Sequence, residues 1–495
     1  MITPSIELIK EKAAGGNYKV APVMKCMPAD FITPIETMRI LKNVSKHCFM
    51  LESVEDAKQW GRYTFLGYDP ILEITCANHE LTVNAGTTIT EYVDHPGDYV
   101  RKILAENKSI RFDDMPSFTG GLVGYFAYDY IKYAEPTLVL NAKDDENFKD
   151  MDLMLFDKVI VFDNLKQTIN IIVNMKLDDI ELSYNKAEKE LDDIARLIKN
   201  GKKAEIKPLK LLSDFEPLFN EEQYCEMVEK GKHYIHEGDI FQVVLSNRMM
   251  ASIEGSLFDT YRKLRMVNPS PYMFYFSSDD VEIAGSSPET LVKLENGVLH
   301  TFPLAGTRSR GKTPQEDKEL EEGLLKDEKE LAEHNMLVDL GRNDIGKISK
   351  IGTVEVEKYM EIERYSHVMH IGSTVKGILA DGKDAVDAVD SILPAGTLSG
   401  APKLRACQII NELEDNKRGI YGGAIGYIDL TGNLDTAIAI RLAFAKNGKV
   451  FVRSGAGIVA DSVPENEYRE CINKAAAVVK SLKESEGGID HDFAN

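Results

Sequence analysis

The sequence predicts an α+β protein built on antiparallel β-sheets rather than a doubly wound sheet. Three observations predict it. Strand-like runs come in groups between helical stretches instead of alternating with them one by one. Short polar turns suited to hairpins join several of these runs, Asn296-Gly297 among them. Two long segments carry apolar residues at helical spacing along one side.

Up to about residue 165, runs such as RYTFLGYDP (62–70) and GGLVGYFAYDYI (120–131) are separated by Gly, Pro, Asn and Asp turns. DKVIVFDNLKQTINIIVNM (157–175) reads as a hairpin. Residues 180–200 place Leu182, Leu191, Ile194, Leu197 and Ile198 near one helical face, and Gly201 ends the pattern. The aperiodic GKKAEIKPLKLLSDFEP is the expected linker between an N-terminal domain, 1–200, and a second domain, 220–484. That second domain opens with a helix (EEQYCEMVEKGKHYIHEG) and a strand (DIFQVVLSNRM). Residues 316–340 read as one helix stopping at Gly341. Residues 421–454 read as a meander with TGN and NGK turns, its strand IAIRLAFA interrupted by Arg441. Pro464 starts a helix with Tyr468, Cys471, Ile472, Ala475, Val479 and Leu482 on its stripe. Residues 485–495 are the expected flexible tail.

Composition narrows the function classes. The chain has 495 residues, 43% apolar and 28% charged, with a net charge of -21. An acidic chain without a basic stripe is a poor partner for nucleic acid or an anionic membrane surface. Six scattered cysteines form no CxxC pair, which suits a reduced, cytoplasmic setting. No apolar run approaches the ~20 residues that span a bilayer, and the first residues lack the pattern of a secretory signal.

The chemistry concentrates after residue 285. Glu330 with Glu333, and Glu467 with Glu470, are pairs spaced i, i+3, so each pair shares a helical face. Four such carboxylates make an oxygen-rich cage for a hard divalent cation, most simply Mg²⁺. A solvated acidic face, or acids favoured by a helix N-terminus, explains each pair taken singly. RSGAGIVADS supplies Gly455, Ala456 and Gly457 as a turn whose N–H groups cradle an anion, or as an ordinary loop. Arg441, alone in an apolar strand, faces solvent or pairs with an anion such as a carboxylate. Tyr421 opens the glycine-rich YGGAIG, where a ligand can approach the backbone. Gly306 and Thr307 in PLAGTRSRG offer backbone and hydroxyl contacts. His370 and Glu289 are acid–base candidates, Glu289 through burial that raises its pKa. Each also has a structural reading, as a satisfied core histidine and a turn-capping carboxylate.

SPYMFYF, AGSSPETLV, PLAGTRSRG, AEHNMLVDLGRND, LPAGTLSGAPK, YGGAIGYI, AIRLAF and SGAGIVADSVPENEYRECINKA occur in order across 220–484. Together they resemble the chorismate-utilising enzymes, and among them the anthranilate synthase large-subunit branch. LESVEDAKQWGRYTFLGYDP (51–70) extends the likeness more thinly toward the N-terminus. The resemblance implies an antiparallel sandwich with outer helices and Mg²⁺-dependent amination of chorismate to anthranilate with loss of pyruvate. That reaction begins tryptophan biosynthesis. It implies Glu333 and Glu470 as Mg²⁺ ligands with Glu330 and Glu467 close behind. It also implies Gly306, Thr307, Tyr421, Arg441 and 455–457 as chorismate contacts. Glu289 would protonate the leaving hydroxyl and His370 would sit near the reacting ring. Ser53, Pro271, Tyr272 and Met273 resemble a site for tryptophan as feedback inhibitor. Relatives with other products carry lysine where this chain has Ala305 or Gln242, so an external amine is the implied nucleophile. Ammonia would come from a separate glutamine amidotransferase subunit. The competing readings are an aminodeoxychorismate synthase and a non-catalytic tryptophan- or metal-binding regulator.

Overall fold

The computed structural model describes residues 2–53, 61–364 and 368–489. Two large sheets, one of 14 strands and one of 12, form the frame, and their ladders are antiparallel. The predicted hairpin is present as Lys158–Asp163 and Thr168–Lys176. The α+β sandwich read from the sequence is the architecture observed.

Both sheets take strands from either side of the 201–219 stretch. In the larger sheet, Cys48–Glu52 pairs with Tyr272–Ser277, setting Met273 opposite Glu52. In the smaller one, Gly121–Phe126 pairs with Ala424–Asp429. An aromatic layer packs at the heart of the fold. Phe49 meets Phe156 edge-on with ring centroids 4.7 Å apart, and Phe274, Phe276, Phe444 and Phe451 fill the same cluster.

The outer helices follow the apolar stripes. Helix Ile180–Asn200 buries Leu191, Ile194 and Ile198, and the Asp179 side chain caps it by accepting from Leu182 N. Leu182 itself stays exposed.

Three local expectations need correction. The single helix expected over 316–340 is two, Pro314–Leu324 and Glu328–Gly346. Asp327 divides them, because its carboxylate accepts from the Lys329 and Glu330 N–H groups as a new N-cap. The second helix runs on through Gly341, where a Cβ would stand 3.1 Å from Thr301 Cγ2, so the missing side chain lets helix and strand approach. Arg441 is not inside a strand. Strand Leu434–Ile438 belongs to the smaller sheet and Leu442–Lys446 to the larger one, and Arg441 turns the corner between them at φ 51°. The segment 455–457 is not a loop. It lies in strand Lys449–Ile458, paired with Gln242–Glu254.

Order continues past residue 484. Gly487 N donates to Leu209 O at 2.9 Å, and Ser485 is fully buried against Thr260.

Candidate active site

Helix Pro464–Glu484 carries one acidic pair. Proline at its first turn fixes φ and costs no hydrogen bond. Cys471, Ala475, Val478 and Leu482 bury its apolar side, and Ser454 Oγ donates to Cys471 O at 2.6 Å, tying it to strand Lys449–Ile458. Helix Glu328–Gly346 carries the other pair, anchored by buried Leu337, Val338 and Ile345.

These helices border one cavity of about 980 Å³. Its lining includes Glu330, Glu333, Glu467 and Glu470, and also Glu289, Gly306, His370, Tyr421, Arg441, Gly455 and Gly457. Residues 289 to 474 thus converge although the sequence scatters them. Thr307 lies in strand Leu304–Ser309, its backbone paired with His370, and its side chain is outside the described residues. Ala456 turns its methyl into the core beside Tyr224 and Leu245, so only its neighbours face the cavity.

One wall carries the cavity's arginine and a stretch of glycine-rich backbone. Arg441 is held by burial, which lowers its pKa. Among the described residues no hydrogen bond or ion pair takes up its guanidinium, while its backbone carbonyl accepts from Ser286 N at 3.1 Å. A desolvated cation with no counter-charge is costly unless a ligand supplies one. Beside it runs the edge of strand Lys449–Ile458. Its partner strand Leu442–Lys446 stops pairing at Ala443–Val452, so among the described residues no strand continues the ladder on that edge from residue 453 onward, where Lys474 Nζ donates to Gly455 O at 3.2 Å. A Cβ at Gly455 would stand 3.2 Å from the Tyr421 hydroxyl, and one at Gly457 only 2.6 Å from Gln242 Nε2. Both positions need glycine to leave room.

The opposite wall is acidic. Burial first, then Glu330 and Glu470, push the Glu333 carboxyl above its usual range, while Lys474 and Lys329 oppose them. Glu470 belongs to the other helix, so the two acidic pairs face one another. Burial and Glu470 raise Glu467 likewise. In this arrangement Glu330 meets Arg308 Nη1 at 3.3 Å and Glu470 meets Lys474 Nζ at 2.7 Å. Among the described residues, no three acidic, histidine or cysteine side chains are gathered tightly enough to hold an ion. The donor set still fits Mg²⁺. Its carboxylates line one cavity and raise one another's pKa, a repulsion that a divalent cation with oxygen ligands would relieve.

Two groups suit proton transfer. Burial pushes the Glu289 carboxyl up to about 7, and the Thr397 hydroxyl donates to its Oε1 at 3.0 Å. His370 Nδ1 lies 3.1 Å from the Gly306 carbonyl, and burial lowers its pKa. Because a carbonyl only accepts, Nδ1 carries the proton in that contact and Nε2 keeps its lone pair.

The inhibitor-like residues form a second locus. The Cys48–Glu52 and Tyr272–Ser277 ladder brings Ser53 beside Tyr272 and Met273. Ser53 Oγ is buried with no hydrogen-bond partner among the described residues. The rest of the motif after it, 54–60, lies outside them.

Sequence reasoning passed over Thr397 and Lys474. Lys474 follows Glu470 by four residues, a helical ion-pair spacing that was there to be read. Thr397 had no such signal, since its role depends on a fold contact across 108 positions.

A sandwich of this kind with a cavity polarised between four carboxylates and an arginine that has no partner among the described residues has the chemistry of a small-molecule enzyme site. The chain belongs to the chorismate binding enzyme family, whose profile matches residues 46–480. It is 45% identical to anthranilate synthase component 1 of Acetivibrio thermocellus, over 98% of this chain and 99% of that one. It is 43% identical to the protein of the same name from Aquifex aeolicus, over 97% and 98%. The crystal structure of anthranilate synthase component I from Streptococcus pneumoniae TIGR4 superposes with a TM-score of 0.75 at 41% identity, covering 86% of this chain and 93% of that one. The menaquinone-specific isochorismate synthase MenF of Escherichia coli shares the fold at a TM-score of 0.69 and 18% identity, over 96% and 98%. The likeness to the anthranilate synthase branch read from the motifs is borne out. No helix among the described residues is long and apolar enough to cross a membrane.

Proposed function

We propose that this chain is the chorismate-aminating component of an anthranilate synthase. It converts chorismate and ammonia into anthranilate, pyruvate and water, the entry to tryptophan biosynthesis. The single observation that carries the reading is the polarised cavity. Chorismate is a dianion with carboxylates at its ring and on its enolpyruvyl arm, and the cavity offers a complement at each end.

Arg441, the Tyr421 hydroxyl and the open strand edge at 455–457 hold the enolpyruvyl carboxylate. Glu333 and Glu470, with Glu330 and Glu467, would hold Mg²⁺, which supplies neutralising charge at the ring carboxylate. Ammonia adds at the ring carbon beside the one bearing that carboxylate. Glu289, protonated below about 7, gives its proton to the departing hydroxyl, which leaves as water. His370 Nε2 takes the ring proton as the enolpyruvyl group leaves as pyruvate, and aromatisation drives this stage. Ala305 and Gln242 both line the cavity, so at neither position does a lysine stand ready to act as nucleophile or base. This supports ammonia as the attacking group, delivered by a glutamine amidotransferase partner in the cytoplasm. The buried Ser53 hydroxyl, with Pro271, Tyr272 and Met273, supports tryptophan as the feedback ligand.

The purified chain with chorismate, Mg²⁺ and an ammonium salt is expected to give a fluorescent ortho-amino acid and equimolar pyruvate. Glutamine in place of ammonium is expected to give nothing until the partner is added. A non-aromatic amino product without pyruvate would identify an aminodeoxychorismate synthase, and binding without turnover a regulator. Substituting Ser53 is expected to relieve tryptophan inhibition and spare uninhibited turnover. Unchanged sensitivity in a tryptophan titration would remove that site assignment.

A further inference from the structure

Behind the cavity lies a buried ionic cluster that the reaction above does not use. Arg418 is 3% exposed and Glu414 is 2% exposed. The guanidinium donates from Nη1 to Leu398 O at 2.6 Å and from Nη2 to Val244 O at 2.7 Å. It also forks onto Glu414, Nε to Oε2 at 3.0 Å and Nη2 to Oε1 at 2.5 Å. Its plane lies 4.5 Å from the Tyr128 ring centroid and 5.9 Å from that of Tyr421. Val244, Leu398 and Tyr421 each line the substrate cavity, and they come from a strand, a short 3₁₀ turn and the loop before strand Ala424–Asp429. Glu414 is fixed in turn by Ser246, through N at 2.7 Å and Oγ at 3.0 Å.

Such a cluster is an expensive way to gain stability. Buried ion pairs replaced by apolar side chains of similar volume are often neutral or stabilising. What the guanidinium offers instead is a rigid fork that fixes several acceptors at once, which a lysine cannot reproduce. Leu398 belongs to the tight turn Gly396–Leu398, closed by Leu398 N donating to Ala395 O at 3.0 Å. A turn this short moves as a unit, and Thr397 is its central residue.

We propose that Arg418 is a positioning residue that locks three cavity walls together and, through the Gly396–Leu398 turn, sets the Thr397 hydroxyl on Glu289. This deepens the proposed function and rests on it, because it concerns the group assigned as the acid there. The hydroxyl donates to the Glu289 carboxylate and so favours its charged form. Loss of that bond leaves Glu289 holding its proton more tightly. Among the described residues, Lys474 is the charged group that acts on Glu289, lowering its pKa; Arg441, His370 and Glu333 line the same cavity, and Asp344 lines a small chamber behind it. Arg418 touches none of them.

The test uses the full-length protein with Mg²⁺, chorismate and ammonium. In wild type, kcat/KM falls as pH rises through the Glu289 limb, and E289Q abolishes that limb. R418K is expected to lower kcat ~100-fold, the scale of a small misplacement of reacting groups, and to move the limb to higher pH. T397V is expected to move the limb the same way, and R418K/T397V no further than T397V alone. A limb that stays at its wild-type position in R418K, whatever the loss of rate, overturns the inference, since a merely structural role would not move it. Should R418K fail to fold, S246A carries the same readout by loosening Glu414, and an unmoved limb there overturns the inference equally. A wild-type profile with no such limb removes the acid assignment itself and the inference with it.

Discussion

Glu289 shows how one buried carboxyl links pH, stability and rate. Its folded pKa of about 7 lies above the ordinary 4.5. The native state therefore keeps a proton that the unfolded chain releases. Its contribution to stability is fully present below about 4.5 and is lost as pH rises through about 7, a difference on the order of 3 kcal/mol. E289Q is expected to be more stable than wild type at pH 8 and little changed at pH 4, read by denaturant unfolding. The same substitution is expected to lower kcat ~10²- to 10⁴-fold, the usual range for a lost general acid. Arg441 has the same double character. R441A is expected to raise the melting temperature of the free protein by removing a half-buried charge that has no partner among the described residues. It is also expected to cut kcat/KM by ~10- to 100-fold through loss of a charge-assisted contact. R441A without gain in stability would mean that the guanidinium has a counter-charge in solution. The sequence flagged Arg441 as an anomaly because a lone cation among apolar residues is visible in one dimension. Its place at the corner between two sheets is not, because the apolar residues on either side of it, 438–440 and 442–445, read as one continuous strand.

The two acidic helices make the next scale testable. Each pair is legible as an i, i+3 spacing, and Pro464 announces the start of its helix. That the pairs face each other is a matter of packing, visible here in the effect of Glu470 on Glu333. Mg²⁺ is expected to raise the melting temperature by closing this repulsive set. At 100 times the dissociation constant the gain is about 2.7 kcal/mol. In metal-free protein E333Q is expected to be slightly stabilising, because it removes a carboxyl held above its usual range by burial and neighbouring acids, and to abolish the thermal shift on adding Mg²⁺. A full Mg²⁺ shift in E333Q/E470Q, measured by calorimetry, would place the ion elsewhere. The break at Asp327 was hidden for a local reason. Its flanks both favour helix, and the capping bond that stops the chain is a side-chain choice with no periodic signature.

At the scale of the whole molecule, both sheets cross the aperiodic 201–219 stretch. A fragment ending at residue 200 would leave Cys48–Glu52 without Tyr272–Ser277, and Gly121–Phe126 without Ala424–Asp429. Such a fragment exposes apolar strand edges. It is expected to aggregate on expression, and co-expression with residues 201–495 is expected to recover soluble material by complementation. A monomeric 1–200 fragment with native-like circular dichroism would show instead that the division in sequence is also a division in folding.

Composition, hydrophobic period and turn residues by themselves determined the α+β class, the hairpins, most helices and the identities of the chemical groups. They did so because strand alternation, helical stripes and caps are set by neighbours a few positions away. Ordered motifs added the family. The tertiary structure alone decided that Glu289, His370, Arg441 and two distant acidic pairs share one cavity, that Gly455–Gly457 is an open strand edge, and that Thr397 and Arg418 stand behind the acid. Those facts depend on long-range pairing and on the electrostatics of burial, and neither leaves a periodic trace along the chain.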